Sequence, residues 1–568
     1  MASSAVVEVE CAAEYAMTRL ASKAGDNGAG DAVEGVGGPG PQAPEATSDE
    51  TTGAASPSGQ DEYPTGPKFW LIMLTIGAAL VLACVDMNIV ATAVPAITDH
   101  FHTVADVGWY SSAFRLSVCA FQFAFGRAYA LFSVKRLFLL ANAISIAGSL
   151  LCGTAPTSAA LVAGRAVAGV GAAGIFSGCL VMLVQSVPLR RRPLFLGVVG
   201  GIEGVATLAA PLVGGLVTQS LGWRWCFYIN PPIGALTLLL TACCFSDAPK
   251  RPGNDVARMT FRQKASQLDL LSNLLFLPAL TSLFLALSWA GTKYPWDSGR
   301  VIGPLVAFAV LLAAFVYNQF RRGDAAALPP RVIKRRTVIA GFIFITLTNS
   351  TGNVIEYYLP TYYQTVRGYS PAKSGYLMLP IIIGGTVGSL IHGAGTSAIG
   401  YYAPFMLFAS LIMPVAAGLI TTFRIDTSLV QLISYTALSG LAYGIGFSGP
   451  QNAVQTVLSA DDVPLGLSVM LFAQSFGPAV AVAVAQVLFT NRLSTNLNGV
   501  VPGLSQAKIE DHGLMEIVAS VPSAKVEEVL EGIGKSLTQT WYLVVGLASA
   551  TIVGSLMIEW RSVKTKRA

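Results

Sequence analysis

Long apolar runs separated by short polar breaks fill the chain from Phe69 to Ile558. Fourteen runs can be read, at approximately 69–97, 107–131, 137–154, 158–186, 194–219, 223–245, 270–290, 300–319, 338–365, 374–396, 404–422, 429–458, 465–489 and 538–558. A helix needs about 20 mostly apolar residues to cross a hydrocarbon core roughly 30 Å thick. Water is absent there, so each N–H and C=O must be satisfied inside its own segment, which selects helix. The pattern predicts an all-α polytopic membrane protein, since a soluble chain with so many runs would aggregate.

Composition agrees with that solvent. Of 568 residues, 53% are hydrophobic and only 12% charged, about half the charged share of a soluble domain. The placement of charge says more than its total. Lysine and arginine in the even-numbered connections and after span 14 number 21, including Arg127, Lys135, Arg136, Arg190–Arg192 and Arg331–Arg336, against 10 on the opposite side. The excess of basic residues marks the cytoplasmic side, so both termini are expected there, as an even number of spans requires.

Residues 1–65 are rich in Gly, Pro, Ala, Ser, Thr and acidic residues from Gly25 to Pro64. Such a segment cannot bury enough surface to offset its ordering entropy and is expected to be a disordered cytoplasmic tail. It has no signal-peptide pattern, so span 1 is expected to serve as the insertion signal. The longest external loop is expected at 490–537, with short amphipathic helices near Gly513–Ser520 and Ala524–Leu530. Residues 561–568 form a basic cytoplasmic tail. Seven of eight cysteines fall in spans without CxxC or Cys/His spacing, so no metal or cofactor is expected. Hypotheses of a membrane enzyme or receptor find no His cluster, nucleotide loop or paired loop carboxylates, and nothing points to nucleic acid.

Charges at bilayer depth are expensive and mark function by default. Five occur: Asp86 in span 1, Arg115 in span 2, Arg165 in span 4, Glu203 in span 5 and Glu356 in span 9. Three acids and two bases suit a polar pathway between helices, and equally a buried pair that only fixes register. Glycine is the second signal. Span 4 has four glycines between Gly164 and Gly174, and span 5 carries Gly197/Gly201, Gly200/Gly204, Pro211 and Gly214-Gly215. Small residues four apart let helices approach closely, and proline weakens a helix where it sits.

These residues resemble the major facilitator superfamily, and within it the fourteen-helix drug:proton antiporter family. The resemblance covers nearly everything from span 1 to span 14. Leu82 through Pro95 (LACVDMNIVATAVP) is similar to the family's LDxTIVNxALP, with Asn88 where threonine is usual. Leu161 through Gly174 resembles the span-4 motif whose arginine is implicated in proton coupling. Gly204 through Gly215 resembles the antiporter motif GxxxGPxxGG, with Ala210 in place of glycine before Pro211. Trp223 through Asn230 matches WRWxFxIN, and Tyr357 through Gly375 matches YYLPxYFQ…RGxSxxxSG. The superfamily's span 2–3 motif survives only as Gly126-Arg127-Ala128-Tyr129-Ala130; its aspartate is absent, which puts the usual cytoplasmic gating salt bridge in question. Arg115 stands where the family usually has an apolar residue.

The resemblance implies a major facilitator fold: an N-terminal six-helix bundle over 66–245, a linker with spans 7 and 8 over 246–336, and a C-terminal six-helix bundle over 337–560. It implies a proton-driven exporter of hydrophobic small molecules, the nearest look-alikes being fungal toxin-efflux pumps; the alternative is proton-coupled uptake of a siderophore or other nutrient. Asp86 and Arg165 are the coupling candidates. Arg115, Glu203, Glu356, Asn88, Tyr357 and Tyr358 are candidates for the substrate cavity, and Gly204, Ala210, Pro211, Gly214 and Gly215 for the conformational motif. The expected partners are a small-molecule substrate, protons and the bilayer. The chain is expected to be monomeric in the plasma membrane, with a vacuolar or vesicular membrane as the alternative.

Overall fold

The computed structural model describes residues 63–102, 106–247, 259–290, 294–498, 500, 514, 518, 521–522 and 525–564. Among these, secondary structure is helical apart from two isolated bridges, Ala290 with Tyr294 and Tyr401 with Ser562. Span 1 comprises helices Gly66–Asn88 and Val90–Phe101, and spans 2 to 5 are Val107–Leu131, Val134–Gly153, Ser158–Ser186 and Arg192–Leu221. Span 6 is Trp225–Tyr228 with Asn230–Cys244; spans 7 and 8 are Leu270–Trp289 and Gly299–Arg322. Span 9 is Arg336–Thr361 ending in a wide turn, Tyr362–Val366, followed by Pro371–Ile399 and Ala403–Ile420 as spans 10 and 11. Leu429–Phe447 with Gly449–Val457, Val463–Asn496 and Val526–Met557 complete the set.

Among the described residues, thirteen helices are long and apolar enough to cross a membrane. Val107–Leu131 falls outside that group because it carries Ser111, Ser112, Arg115, Ser117, Gln122 and Arg127. Its length still suits a crossing, and its polar load has a destination inside the bundle. The breaks have local causes. Pro231 and Pro232 open the second part of span 6, and Pro450 opens that of span 12; proline tolerates a first turn but not a helix interior. In span 1 the Asn88 amide turns back onto the Cys84 carbonyl at 2.9 Å, and the Thr92 hydroxyl takes the Ile89 carbonyl at 3.1 Å.

The connection between spans 13 and 14 is shorter than the 490–537 expected from hydropathy. Span 13 runs on to Asn496 and span 14 begins at Val526, so Val526–Leu530 of the expected short helix is the start of a long one rather than a separate element. The reason is amphipathicity. Val529, Ile533, Leu537 and Trp541 bury one face, while Glu527, Glu528, Glu531 and Lys535 lower the average on the other. The Gly513–Ser520 helix falls almost wholly outside the described residues, as do residues 1–62 of the tail and 565–568 of the C-terminus. The described part of that terminus docks on the span 10–11 turn, with Val563 N–H donating to Gly400 O at 2.8 Å.

Spans 2, 3 and 4 pack together and span 1 lies against 4, 5 and 6, while spans 9 to 14 form a second set; the sets meet where span 5 lies along span 10 and span 2 along span 13. Glycines set these approaches. A side chain at Gly440 or Gly444 of span 12 would collide with the backbone of Ile381 or Gly385 in span 10. At the basic end of the bundle, a Cβ on Gly126 would strike Ser468, one on Gly197 the Ser389 carbonyl, and one on Gly393 the Pro193 carbonyl. Both seams are therefore closed there.

The flanks of spans 7 and 8 reinforce that closed end. Arg127 donates to Gln267 O (3.3 Å), Gln267 Oε1 (3.2 Å) and Asp324 O (2.9 Å). Arg331 reaches Asp324 at 3.4 Å and Asp462, at the start of span 13, at 3.0 Å. Behind them Asp269 is buried, accepting from Asn318 Nδ2 (3.1 Å) and Ala327 N (3.0 Å) and pairing with Arg322 at 3.3 Å. The missing span 2–3 aspartate is thus accompanied by a different set of contacts, contributed by the inserted helix pair.

Candidate functional site

Between the two sets lies a cavity of about 820 Å³, whose lining reaches from Gln122 and Leu471 in mid-helix to Gln364 and Pro371–Tyr376 around the span 9–10 connection. That volume is within the range of drug-sized ligand sites. Six sequence candidates line it directly: Asn88, Arg115, Glu203, Glu356 and, from the span-5 motif, Gly204 and Pro211.

Arg115 exposes its guanidinium to the cavity and donates from Nη2 to Asn88 Oδ1 at 3.0 Å. Among the described residues it forms no ion pair. Glu203 is half-buried and accepts from Gln474 Nε2 of span 13 at 3.3 Å, a bond that crosses between the two sets. Gln474 Oε1 in turn accepts from Gln451 at 3.4 Å. Glu356 is also half-buried, and among the described residues nothing hydrogen-bonds it. Tyr443, which donates to Asn349 Oδ1 at 2.9 Å, lines the same cavity. The cavity therefore has two polar regions, a guanidinium–amide group on spans 1 and 2 and a pair of carboxylates on spans 5 and 9.

Asp86 and Arg165 are brought together, but outside the cavity lining. Arg165 Nη1 meets Asp86 Oδ1 at 2.9 Å and Arg165 Nε donates to Tyr110 O at 2.9 Å. The guanidinium lies over the Phe114 ring, 4.3 Å from its centroid. Both side chains are essentially inaccessible, and Asp86 Oδ2 and Arg165 Nη2 have no partner among the described residues. Burying two charges is tolerable only with a close partner and further bonds. Gly164, Gly169 and Gly171 make room for this helix: added carbons there would meet Cys152, Phe114 and Ser145. Tyr110 bonds Ser158 at 2.9 Å, so it and Phe114 surround the pair rather than line the cavity.

Tyr357 and Tyr358 also lie away from the lining. Tyr357 is exposed on the outside of the helix, and Tyr358 is buried with its hydroxyl donating to Gln486 Oε1 at 3.0 Å. In the span-5 motif, Ala210 is fully buried, Gly214 abuts Ile89 and Thr92 at the span-1 break, and Gly215 faces open space. Sequence reasoning missed Gln122, Asn349, Asn353, Gln364, Tyr443 and Gln474 as lining residues. The signal was present: amides inside apolar runs are nearly as anomalous as charges, because unpaired polar groups are costly there.

Membrane-length helices arranged in two sets about a largely apolar cavity with a few charged groups are the build of a membrane transporter. The chain belongs to the Major Facilitator Superfamily, whose family model it matches over residues 76–482. It is 41% identical over 503 residues to the MFS-type efflux pump MFS1 of Arthroderma benhamiae, covering 89% of this chain and 93% of that one. The efflux pumps roqT of Penicillium rubens and aflT of Aspergillus parasiticus are each 38% identical, covering 90% and 89% of this chain and 95% and 98% of theirs. Two solved structures share the fold. The human organic anion transporter MFSD10 (TETRAN) aligns with a TM-score of 0.54 at 14% identity, over 84% of this chain and all of that one. The proton:xylose symporter XylE bound to 6-bromo-6-deoxy-D-glucose has a TM-score of 0.54 at 13% identity, over 82% and 98%. The protein is a multi-pass transporter and not an enzyme.

Proposed function

We propose that the protein exports a hydrophobic small molecule, such as a drug, toxin or secondary metabolite, in exchange for protons. The observation that carries this reading is the large mixed cavity with two carboxylates that have no basic partner among the described residues, in a chain about 40% identical to fungal efflux pumps. Two bundles, 66–245 and 337–560, rock about the cavity, and 246–336 links them. The arrangement described above is the outward-facing one: the seams are closed at the basic, cytoplasmic end, and the cavity reaches the span 9–10 connection on the external side. Binding sites near the midplane between repeats suit such alternation.

Asp86 and Arg165 are the coupling pair. A proton on Asp86 would remove the charge that holds Arg165 and loosen span 1 against span 4. Both termini are cytoplasmic, and the chain acts as a monomer in the plasma membrane. Proteoliposomes with an imposed inward proton gradient, challenged with a panel of neutral and cationic aromatic compounds, test the direction of flux. The reading predicts substrate leaving the cytoplasmic face as protons enter. Substrate and protons moving the same way would replace it with proton-coupled uptake, and substrate movement indifferent to the gradient would remove proton coupling.

A further inference from the structure

A proton can displace a cationic substrate from a carboxylate by removing the attraction between them. It has no such hold on a neutral molecule unless that molecule hydrogen-bonds the carboxylate itself. The cavity pairs two carboxylates, Glu203 and Glu356, with a guanidinium, Arg115, that has no acid of its own among the described residues. A lipophilic cation would meet Arg115 as a repelling charge, since guanidinium stays protonated. An anion would meet the two carboxylates. Around these groups the lining is apolar at Met87, Phe176, Leu212, Met378, Phe447 and Leu471.

We propose that the cavity selects neutral, largely apolar molecules carrying a hydroxyl donor at one end and a carbonyl acceptor at the other. The hydroxyl donates to Glu356, in a cavity that Glu203 also lines, and the carbonyl accepts from Arg115. Glu356 is the primary acceptor because its carboxylate is open to the cavity and unbonded among the described residues, whereas Glu203 already accepts from Gln474. Arg115 has donors to spare, because Asn88 occupies only Nη2. Protonation of the carboxylate replaces a charge-assisted acceptor by a neutral carboxyl group, and charge-assisted bonds are roughly twice as strong as neutral ones. The substrate hydroxyl and the proton therefore compete for the same oxygens. This rests on the export reading above and gives it a means of exchange.

The test is equilibrium binding to the purified full chain in detergent, with no gradient, so that it stands apart from transport. The probes are ω-hydroxyalkyl phenyl ketones of graded chain length, their methyl ethers, the corresponding alcohols without the ketone, and tetraphenylphosphonium. The hydroxy ketone of best-fitting length should bind roughly ten- to a hundredfold tighter than its methyl ether, the span expected for a bond to a charged group. Acidification should erode that advantage. Glu356→Gln, which keeps an acceptor but removes its charge, should cut the hydroxy ketone's advantage over its ether several-fold while leaving the ether unchanged, which also reports that the variant is folded. Arg115→Gln should weaken the hydroxy ketone by a similar factor and leave the ketone-free alcohol untouched. The proposal is overturned if ether and hydroxy ketone bind alike, or if tetraphenylphosphonium binds tightest and loses its affinity with Glu356→Gln. Should binding behave as expected while proteoliposomes show no proton-driven flux, the exchange reading falls and the ligand class stands.

Discussion

Replacing Asp86 by leucine removes the only carboxylate that Arg165 touches among the described residues. The guanidinium keeps one strong acceptor, the Tyr110 carbonyl at 2.9 Å, and the Phe114 ring 4.3 Å from its centre. A desolvated cation over an aromatic face is worth about 2 kcal/mol, and a bond to a charged group about 1.5–3 kcal/mol. Neither matches what a buried charge loses, and breaking such a pair typically costs about 3–5 kcal/mol. At the lower bound that is more than a hundredfold in the folding equilibrium. The pair replaced as a unit, Asp86→Leu with Arg165→Met, leaves no charge to strand and should recover most of that loss.

Stability is read by thermal denaturation with a thiol-reactive dye, which suits this chain because Cys84, Cys119, Cys152, Cys179 and Cys226 are buried. Transport is read separately in proteoliposomes. The expected pattern is a large drop in melting temperature for Asp86→Leu, near-parental melting for the double variant, and no proton-driven transport in either. Parental melting of Asp86→Leu would refute the energetic reasoning, because Arg165 would have found another partner. Proton-driven transport by the double variant would refute the coupling role and leave a pair that only fixes helix register.

Three further outcomes follow from the packing. Gly440→Val should cost about 1–3 kcal/mol or prevent folding, since its side chain meets the Ile381 backbone, which cannot rotate away; a melt of the purified variant checks this. Arg331→Ala removes two partly exposed ion pairs, each worth about 0.2–1 kcal/mol. It should raise labelling of a cysteine introduced at Ser468, which packs against Gly126, by a few-fold at most, with melting little changed. Ala210→Gly should lower stability by about 0.5–1 kcal/mol, the cost of glycine in a helix interior, as measured by the same melt.

The spans were legible because hydrocarbon imposes a length and a composition, whereas the breaks at Pro231-Pro232 and Pro450 were not read from the sequence and emerged only with the structure. Span 14 was misplaced at its start because a one-sided helix averages to mild polarity, although Val529, Ile533 and Leu537 recur at helical spacing. Asp86 and Arg165 stood out as charges, but their sequence separation of 79 residues gave no measure of their contact. The cavity was harder still. Its lining comes from spans in both halves of the chain, so whether Tyr358 faces it or Gln486 depends on helix rotations that no local pattern fixes. Tyr443 and Gln474 became visible as site residues only when spans 5, 9, 12 and 13 were set against one another.

The closed end shows why the inserted helices belong to the working parts. Under the exchange proposed above, this end must open in every cycle, so its contacts must be strong enough to shut and weak enough to release. Arg331 is half exposed in its pairs with Asp324 and Asp462, and exposed pairs contribute only about 0.2–1 kcal/mol each. A buried pair such as Asp86–Arg165 would hold too firmly for that task. Arg127 depends on a backbone carbonyl at each of two positions, Gln267 and Asp324, one before span 7 and one after span 8. Shifting spans 7 and 8 would therefore break the Arg127 and Arg331 contacts together. The absence of the span 2–3 aspartate then need not leave the gate without a catch, because the catch sits on the insertion and joins spans 2 and 13 through it.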